Sequence, residues 1–248
     1  MNKRLTILFL FVAAITYAQK KPLDHSVYDT WENIGSKAIS DNGLWANYGI
    51  MQQEGNAMLY FYNIKENKKL NFQRGVNAKF SNDSKFAGFL IRPFFSALRT
   101  AKIKKTKPDA MPKDSLAILN LQTGIIAKVA TVKSFKIPEE GSDMIAYLMA
   151  KPDTAKVKTE QKNQNKDAQF LADEDIDSKK KDEGSDLIVK NLIAQTQNTY
   201  KFVTDYEFSK NGKQLVFVCK ESKKDKAATP GVFMLNTEKN TLKTLVNG

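Results

Sequence analysis

Apolar and polar residues alternate along much of the chain, in short runs separated by turn-forming residues. In the run that starts at Trp45, the residues Trp45, Asn47 and Gly49 fall on one side of an extended chain, and the intervening residues fall on the other. A period of two residues is typical of a β-strand with one buried face. The pattern therefore predicts an all-β protein.

Four segments share one pattern, which consists of an apolar residue, a Ser or Pro, a polar pair with Gly or Ser, and an alternating apolar run. They span residues 38–49, 78–90, 135–148 and 206–218. Asn and Gly tolerate the positive φ that hairpin turns need, and Asp or Ser can bond the turn backbone. Each segment is therefore predicted to be a β-hairpin.

A second motif, a strand ending in Asn followed by a polar turn and a further strand, follows each hairpin. It occupies residues 59–70, 116–126 and 232–242, with a looser copy at 187–192. The interval from Ser40 to Ser81 is about 40 residues, the length of one four-stranded propeller blade. We predict a partial β-propeller of about four four-stranded blades over residues 19–248.

Two segments lengthen the later repeats. The first, residues 92–113, is basic and contains three prolines. The second, residues 151–186, is rich in Lys, Asp, Glu, Asn and Gln, and its few apolar residues cannot offset the entropy of ordering. We predict a disordered surface loop there, because the repeat resumes beyond it; an interdomain linker and an interaction tail are the alternatives.

The N-terminus has the pattern of a secretory signal peptide over residues 1–18. Lys3 and Arg4 precede an apolar run from residue 5 to 15, and Ala18 is a small residue at the expected cleavage site. The run is shorter than the about 20 residues that span a bilayer. We predict an exported protein, periplasmic or extracellular, without a stable membrane anchor; the alternative is a retained N-terminal anchor helix.

The chain carries a formal net charge of +12. In a cytosolic protein such a charge would favour nucleic acid, because Lys and Arg release counterions from phosphate. Export and the scatter of the lysines favour a solvated basic face and no nucleic-acid partner. The densest basic group consists of Lys102, Lys104, Lys105 and Lys107.

The sequence lacks the motifs of a hydrolase site. A nucleophile elbow requires Gly-x-Ser-x-Gly, which does not occur, and a catalytic triad requires a His. The only histidine, His25, is predicted to be a surface or capping residue. The only cysteine, Cys219, is predicted to be a buried strand residue and cannot form an internal disulfide.

Metal and cofactor motifs are also missing from the sequence. Zinc needs several His or Cys ligands, and no Gly-rich phosphate loop is present. The acidic run 173–177 lacks the Gly and closing Glu of an EF-hand, so we interpret it as solvated. Glu139 and Glu140 are predicted to be turn residues. We therefore predict no catalytic, cofactor-binding or metal-binding residue and no cofactor.

The blade pattern from Trp31 to Lys85 and the insertion 101–116 resemble the N-terminal β-propeller of exported serine peptidases of the prolyl oligopeptidase and dipeptidyl peptidase type. The resemblance runs from about Lys20 to the end. It implies a propeller of about seven or eight blades, which restricts peptide entry to an α/β-hydrolase domain carrying the catalytic Ser, Asp and His. None of those catalytic motifs lies in this sequence.

The resemblance predicts the N-terminal propeller portion of such a peptidase, truncated before the catalytic domain and non-catalytic by itself. Its partner would be a peptide substrate reached through the missing hydrolase domain, and its open edges invite pairing with another chain. A fragment, a truncated gene product and one half of a split protein all fit. The alternative is a free-standing exported scaffold that binds a protein or peptide; an enzyme of another type is a third possibility.

Overall fold

The structure is a computed structural model that describes residues 27–28, 31–141, 143–150, 184–221 and 229–248. These residues form fourteen strands and one α-helix, α1 (Phe95–Ile103). The strands are β1 Glu32–Ile39, β2 Trp45–Gln52, β3 Met58–Asn63, β4 Lys68–Gln73, β5 Gly75–Phe80, β6 Phe86–Ile91, β7 Asp114–Asn120, β8 Ile126–Lys136, β9 Met144–Met149, β10 Ser185–Asn191, β11 Gln197–Phe208, β12 Gln214–Cys219, β13 Gly231–Asn236 and β14 Thr241–Asn247.

Fourteen strands form four antiparallel four-stranded blades because two of them serve two blades each. Val132 in β8 pairs with Asp114 of β7 on one side and with Met149 of β9 on the other. Val203 in β11 occupies the same position between β10 and β12. Blade 1 is β1–β4, blade 2 ends in the first half of β8, blade 3 ends in the first half of β11, and blade 4 ends in β14.

The predicted all-β fold and the predicted number of blades are thus confirmed. The ten-stranded sheet from β5 to β14 is three blades joined through the shared strands. Sequence periodicity could not reveal this sharing, because a strand that changes blades continues the same alternating pattern.

The chain passes from one blade to the next through a single residue with a left-handed backbone. The three residues, all other than glycine, are Arg74 (φ 63°), Thr131 (φ 55°) and Phe202 (φ 60°). Each of their carbonyl groups accepts a backbone hydrogen bond from the end of the second strand of the following blade; the donors are Arg92 (2.9 Å), Ala150 (2.7 Å) and Lys220 (3.0 Å). The repeated geometry fixes the step between neighbouring blades.

The predicted hairpin turns between the first and second strands depend on serine side chains. In blades 1, 2 and 4 a serine hydroxyl accepts the backbone N–H of the residue five positions later; the pairs are Ser40 with Trp45 (2.9 Å), Ser81 with Phe86 (3.0 Å) and Ser209 with Gln214 (3.0 Å). In blade 3, Pro138 stands at the equivalent point of the turn between β8 and β9.

The turns between the third and fourth strands depend on asparagine in the same way. The side-chain oxygen of each asparagine accepts a backbone N–H two or three residues later; the four residues are Asn63, Asn120, Asn191 and Asn236. Such bonds stabilise a tight turn without help from distant residues. The two repeated motifs of the sequence are therefore the two turn types of every blade.

The core consists of three apolar clusters, each between two successive blades. Between blades 1 and 2, Phe61 packs near Phe72, Phe80 and Phe89, with ring centroids 5.7 to 5.8 Å apart. Between blades 2 and 3, a Cβ at Gly88 would lie 2.9 Å from the Phe135 ring, so the glycine allows close packing. The third cluster joins blades 3 and 4 and includes Phe217. Each interface buries one face of both blades.

The insertion 92–113 lies between β6 and β7 and contains α1 and a 3-10 helix (Pro108–Ala110) that were not predicted. No residue of α1 is buried. Strand β10 begins at Ser185 and pairs with Val203, so the predicted polar insertion 151–186 extends two residues too far.

Several other predictions concern residues outside the described ranges. They are the signal peptide 1–18, His25, the acidic run 173–177 and the order of residues 151–183. Within the described part of the chain, no helix is both long and apolar enough to cross a bilayer.

Replacing Phe61 with alanine should remove the centre of the aromatic cluster between blades 1 and 2. Because Phe61 is fully buried, we expect the free energy of unfolding in a urea titration to fall by about 3 to 5 kcal/mol. The matched control is Phe94→Ala, the same truncation at a ring that is 52% exposed, which should cost about 1 kcal/mol or less. Equal losses for both variants would contradict the proposed core.

Replacing Thr131 with glycine should relieve the left-handed backbone between blades 2 and 3. A β-branched residue is unfavourable there, so we expect the free energy of unfolding to rise by about 0.5 to 1 kcal/mol. The control Thr241→Gly places glycine in an exposed strand and should lower it by about 0.5 to 1 kcal/mol. The prediction is the opposite sign of the two effects in thermal or urea unfolding; a loss at both positions would refute it.

Candidate functional site

The loops at one end of the blades are longer than those at the other end, except in blade 1. Because neighbouring strands are antiparallel, the tight serine and asparagine turns lie at one end, and the loops between second and third strands lie at the other. In blade 1 this loop spans residues 53–57, whereas in blade 2 it is the insertion 92–113. The long loops and the left-handed connectors therefore share one end.

At that end a cleft of about 400 Å³ opens between blades 1 and 2, which we call the loop cleft. Its walls are the loop after β2, the connector at Arg74, and the start of the insertion with α1. The lining residues are Met51, Gln52, Gln53, Glu54, Gly55, Asn56, Ala57, Arg74, Arg92, Pro93, Phe95, Leu98, Arg99 and Lys102. Its volume lies in the range typical of small-molecule sites.

Two contacts hold the walls of the loop cleft together. The side-chain oxygen of Asn56 accepts the backbone N–H of Phe95 at 2.9 Å and so satisfies one of the donors at the start of α1. One turn later, Arg99 Nη1 lies 3.0 Å from Glu54 Oε2. This ion pair is exposed and contributes little to stability, but both contacts orient α1 over blade 1.

Arg74 lies at the junction of the walls and has an unusual environment. Its guanidinium carbon is 4.0 Å from the centroid of the Phe94 ring, and its Nη1 donates to the Arg92 carbonyl oxygen at 2.7 Å. Its Nε is buried and has no hydrogen-bond partner among the described residues. The side chain is held in place while part of its donor capacity stays unused.

The charges around the loop cleft are mainly positive. Four of its lining side chains are basic, namely Arg74, Arg92, Arg99 and Lys102, and one is acidic, Glu54. Glu54 is already paired with Arg99. Asp114 lies near Arg92; burial raises the pKa of its carboxyl group, and the Arg92 charge opposes that rise. The loop cleft therefore favours an anionic ligand.

A second cleft, of about 360 Å³, lies between the outer strands of blades 3 and 4. Four of its ten lining residues are aromatic, and the Phe217 ring packs against both Tyr200 and Phe233. Cys219 lines it, half-buried, and its thiol donates weakly to the Lys201 carbonyl at 3.5 Å. Burial raises the pKa of this thiol, which disfavours the nucleophilic thiolate.

A polar group connects the innermost strands of blades 3 and 4. Ser134 Oγ lies 3.1 Å from the Tyr206 hydroxyl, and Lys136 Nζ donates to the Tyr206 carbonyl at 2.7 Å and pairs with Glu207. Burial raises the pKa of Tyr206 to about 12. A phenol that keeps its proton in this way is a poor base, so we assign the group a structural role.

Among the residues weighed from the sequence, Glu139, Glu140, Cys219 and the clustered lysines lie in the described ranges. Glu139 and Glu140 lie in the turn between β8 and β9, and Glu140 pairs with Lys210 of blade 4 at 2.9 Å. Of the four clustered lysines only Lys102 lines the loop cleft. Within the described ranges, no group of three or more His, Cys, Asp and Glu residues is placed to hold a metal ion.

Sequence analysis did not identify the arginines of the loop cleft. Arg92 and Arg99 fall within the insertion recognised as basic, but nothing in the pattern indicated that they face blade 1. Arg74 precedes the second repeat and was not singled out. The available hint was that an arginine stands at the junction between two repeat units, where the equivalent connector residues are Thr131 and Phe202.

No protein-family model matches the sequence, and no curated protein matches it either. Solved structures do resemble the fold. The β-propeller domain of the trilobed protease from Pyrococcus furiosus, described as having an open velcro topology, aligns with a TM-score of 0.50 at 9% identity, over 88% of this chain and 58% of that chain.

Two further structures are similar at lower scores. They are an acylaminoacyl peptidase from Pyrococcus horikoshii (TM-score 0.46, 8% identity, 91% of this chain and 34% of that chain) and a prolyl endopeptidase (TM-score 0.47, 12% identity, 88% of this chain and 30% of that chain). This chain thus spans about a third of the length of these two enzymes and somewhat over half of the propeller domain. The chain has the fold of a β-propeller domain.

Proposed function

We propose that this chain is the N-terminal propeller portion of an exported prolyl-oligopeptidase-type serine peptidase. In this role it admits and positions peptide substrates for a separate catalytic domain. The observation that carries the proposal is the alignment of 88% of the chain with the propeller domain of the trilobed protease. The sequence resemblance of blade 1, blade 2 and the insertion within blade 2 supports the same assignment.

The loop end of the blades fits such a role. The tight-turn end offers short turns joined across blades, for example by Asn82 Nδ2 donating to Asp41 at 3.0 Å. The loop end instead carries the loop cleft, with both apolar and charged walls. A peptide offers both kinds of group, since its backbone and termini are polar and many of its side chains are apolar.

A free-standing exported scaffold is the second candidate. The outer strand of blade 4 is exposed along its whole length, including Leu242, Leu245 and Val246. An apolar strand of this kind suits a protein partner that adds a further sheet. In the peptidase proposal the same surface would receive the next blade.

The coding sequence beyond codon 248, together with an activity assay, separates the two candidates. For the peptidase we expect an in-frame Gly-x-Ser-x-Gly followed by Asp and His. The longer product should cleave proline-containing chromogenic peptides and be blocked by a serine-directed inhibitor, whereas the 248-residue chain should show no turnover. A stop codon followed by an unrelated gene would favour the scaffold; inhibitor-sensitive turnover by the 248-residue chain would contradict both.

Export has its own test in the N-terminal sequence of the mature protein. If residues 1–18 are a signal peptide, the protein recovered from the periplasm or medium should begin at Gln19. The control replaces apolar residues of the leader, Leu8→Lys and Leu10→Lys, which should leave the full-length chain inside the cell. Recovery of the intact N-terminus in the membrane fraction would instead identify an anchor helix.

A further inference from the structure

We propose that the loop cleft binds the C-terminal carboxylate of a short peptide whose last side chain is apolar. The choice of a peptide over other carboxylates rests on the proposed function. Four features of the loop cleft support this assignment: the unused donors of Arg74, the surplus positive charge, the apolar lining and the preformed shape.

Arg74 uses only part of its hydrogen-bonding capacity. A guanidinium has five N–H donors in a planar fork, and among the described residues one of its nitrogens donates to the Arg92 carbonyl while Nε has no partner. A buried donor left unpaired costs about 1 to 3 kcal/mol. A carboxylate suits the remaining donors because its two oxygens accept two parallel N–H bonds.

The Arg74 guanidinium is held in a defined position. It stacks on Phe94 at 4.0 Å and belongs to a residue whose left-handed backbone is fixed between two blades. A side chain restrained on both sides loses little entropy when a ligand binds. The Arg74 side chain is therefore already positioned before a ligand binds.

The loop cleft carries a surplus of positive charge. The Glu54 carboxylate is occupied by Arg99 at 3.0 Å, so it does not cancel the charges of Arg74 and Lys102. Arg92 adds a further positive charge, which Asp114 offsets in part. An anion entering the loop cleft meets a net attraction that added salt should screen.

The apolar part of the cleft lining selects among anions. Met51, Pro93, Phe95 and Leu98 give the cleft an apolar side next to the arginines. Inorganic phosphate would leave that side unfilled. A terminal carboxylate with an apolar side chain satisfies both sides, and the contacts of α1 with Asn56 and Glu54 keep the walls together before binding.

The experiment compares two peptides that differ only at the C-terminus, N-acetyl-alanyl-phenylalanine with a free carboxylate and its C-terminal amide. Binding to the purified chain is measured by calorimetry at low and moderate salt, with inorganic phosphate as a probe of charge alone. We expect the carboxylate to bind about tenfold or more tightly than the amide, as for a charged hydrogen bond, and more tightly than phosphate. Salt should weaken binding of the carboxylate more than binding of the amide.

The decisive variant is Arg74→Gly, which removes the guanidinium but is compatible with the left-handed backbone. It should reduce binding of the carboxylate about tenfold and leave the amide unchanged, and Arg74→Lys should fall between the two. Lys128→Gln, which removes an exposed charge on β8, is the matched control and should change neither. If Arg74→Gly does not fold, Arg92→Gln carries the same comparison.

Equal affinity for the carboxylate and the amide, no binding of either, or phosphate binding as tight as the peptide would each overturn the carboxylate assignment. These outcomes are distinct from failure of the proposed function. If a peptidase domain is encoded downstream but this chain binds the carboxylate and the amide equally well, only this inference is refuted. Selective carboxylate binding by a chain whose gene ends at codon 248 would support the inference and favour the scaffold.

Discussion

The structure depends on the burial of one sheet against the next. A four-stranded antiparallel sheet has two faces, and in this chain the faces that meet between successive blades carry the largest buried side chains, such as Phe61, Phe89 and Phe217. Burial of apolar area contributes about 25 cal/mol per Å², so a blade alone would leave most of its stabilising surface in water. The blades are stable through their neighbours, as in other repeat proteins.

Stacking of this kind needs a uniform step between sheets, which the left-handed connectors provide. Arg74, Thr131 and Phe202 accept an unfavourable backbone conformation because the carbonyl of each is bonded by the next blade. The cost is local, and the interfaces on either side offset it. At Arg74 the same constraint has a second effect, because it holds a charged side chain at the edge of a cleft.

Much of the fold could be predicted from the sequence because its turns are encoded locally. Ser40 and Asn63 bond backbone groups within five residues of themselves, so a short motif is enough to identify each turn, and the motif repeats.

The strands shared by two blades could not be predicted, because at Val132 and Val203 only the pairing partners change. Helix α1 was missed because its contacts, through Asn56 and Glu54, come from a distant loop. The arginines of the loop cleft were missed for the same reason, since Arg74 and Arg99 line one cleft only after blades 1 and 2 have packed.

The separation of tight turns from long loops also bears on how such a chain can change. A residue added to a serine or asparagine turn would break bonds that set the register of two strands, and every side chain beyond it would move to the wrong face. At the other end, the 22-residue insertion 92–113 lies between β6 and β7 while Phe86 and Asn120 still pair across these strands. New segments can therefore be grafted at the loop end, and ligand preference altered there, without redesigning the sheets that carry them.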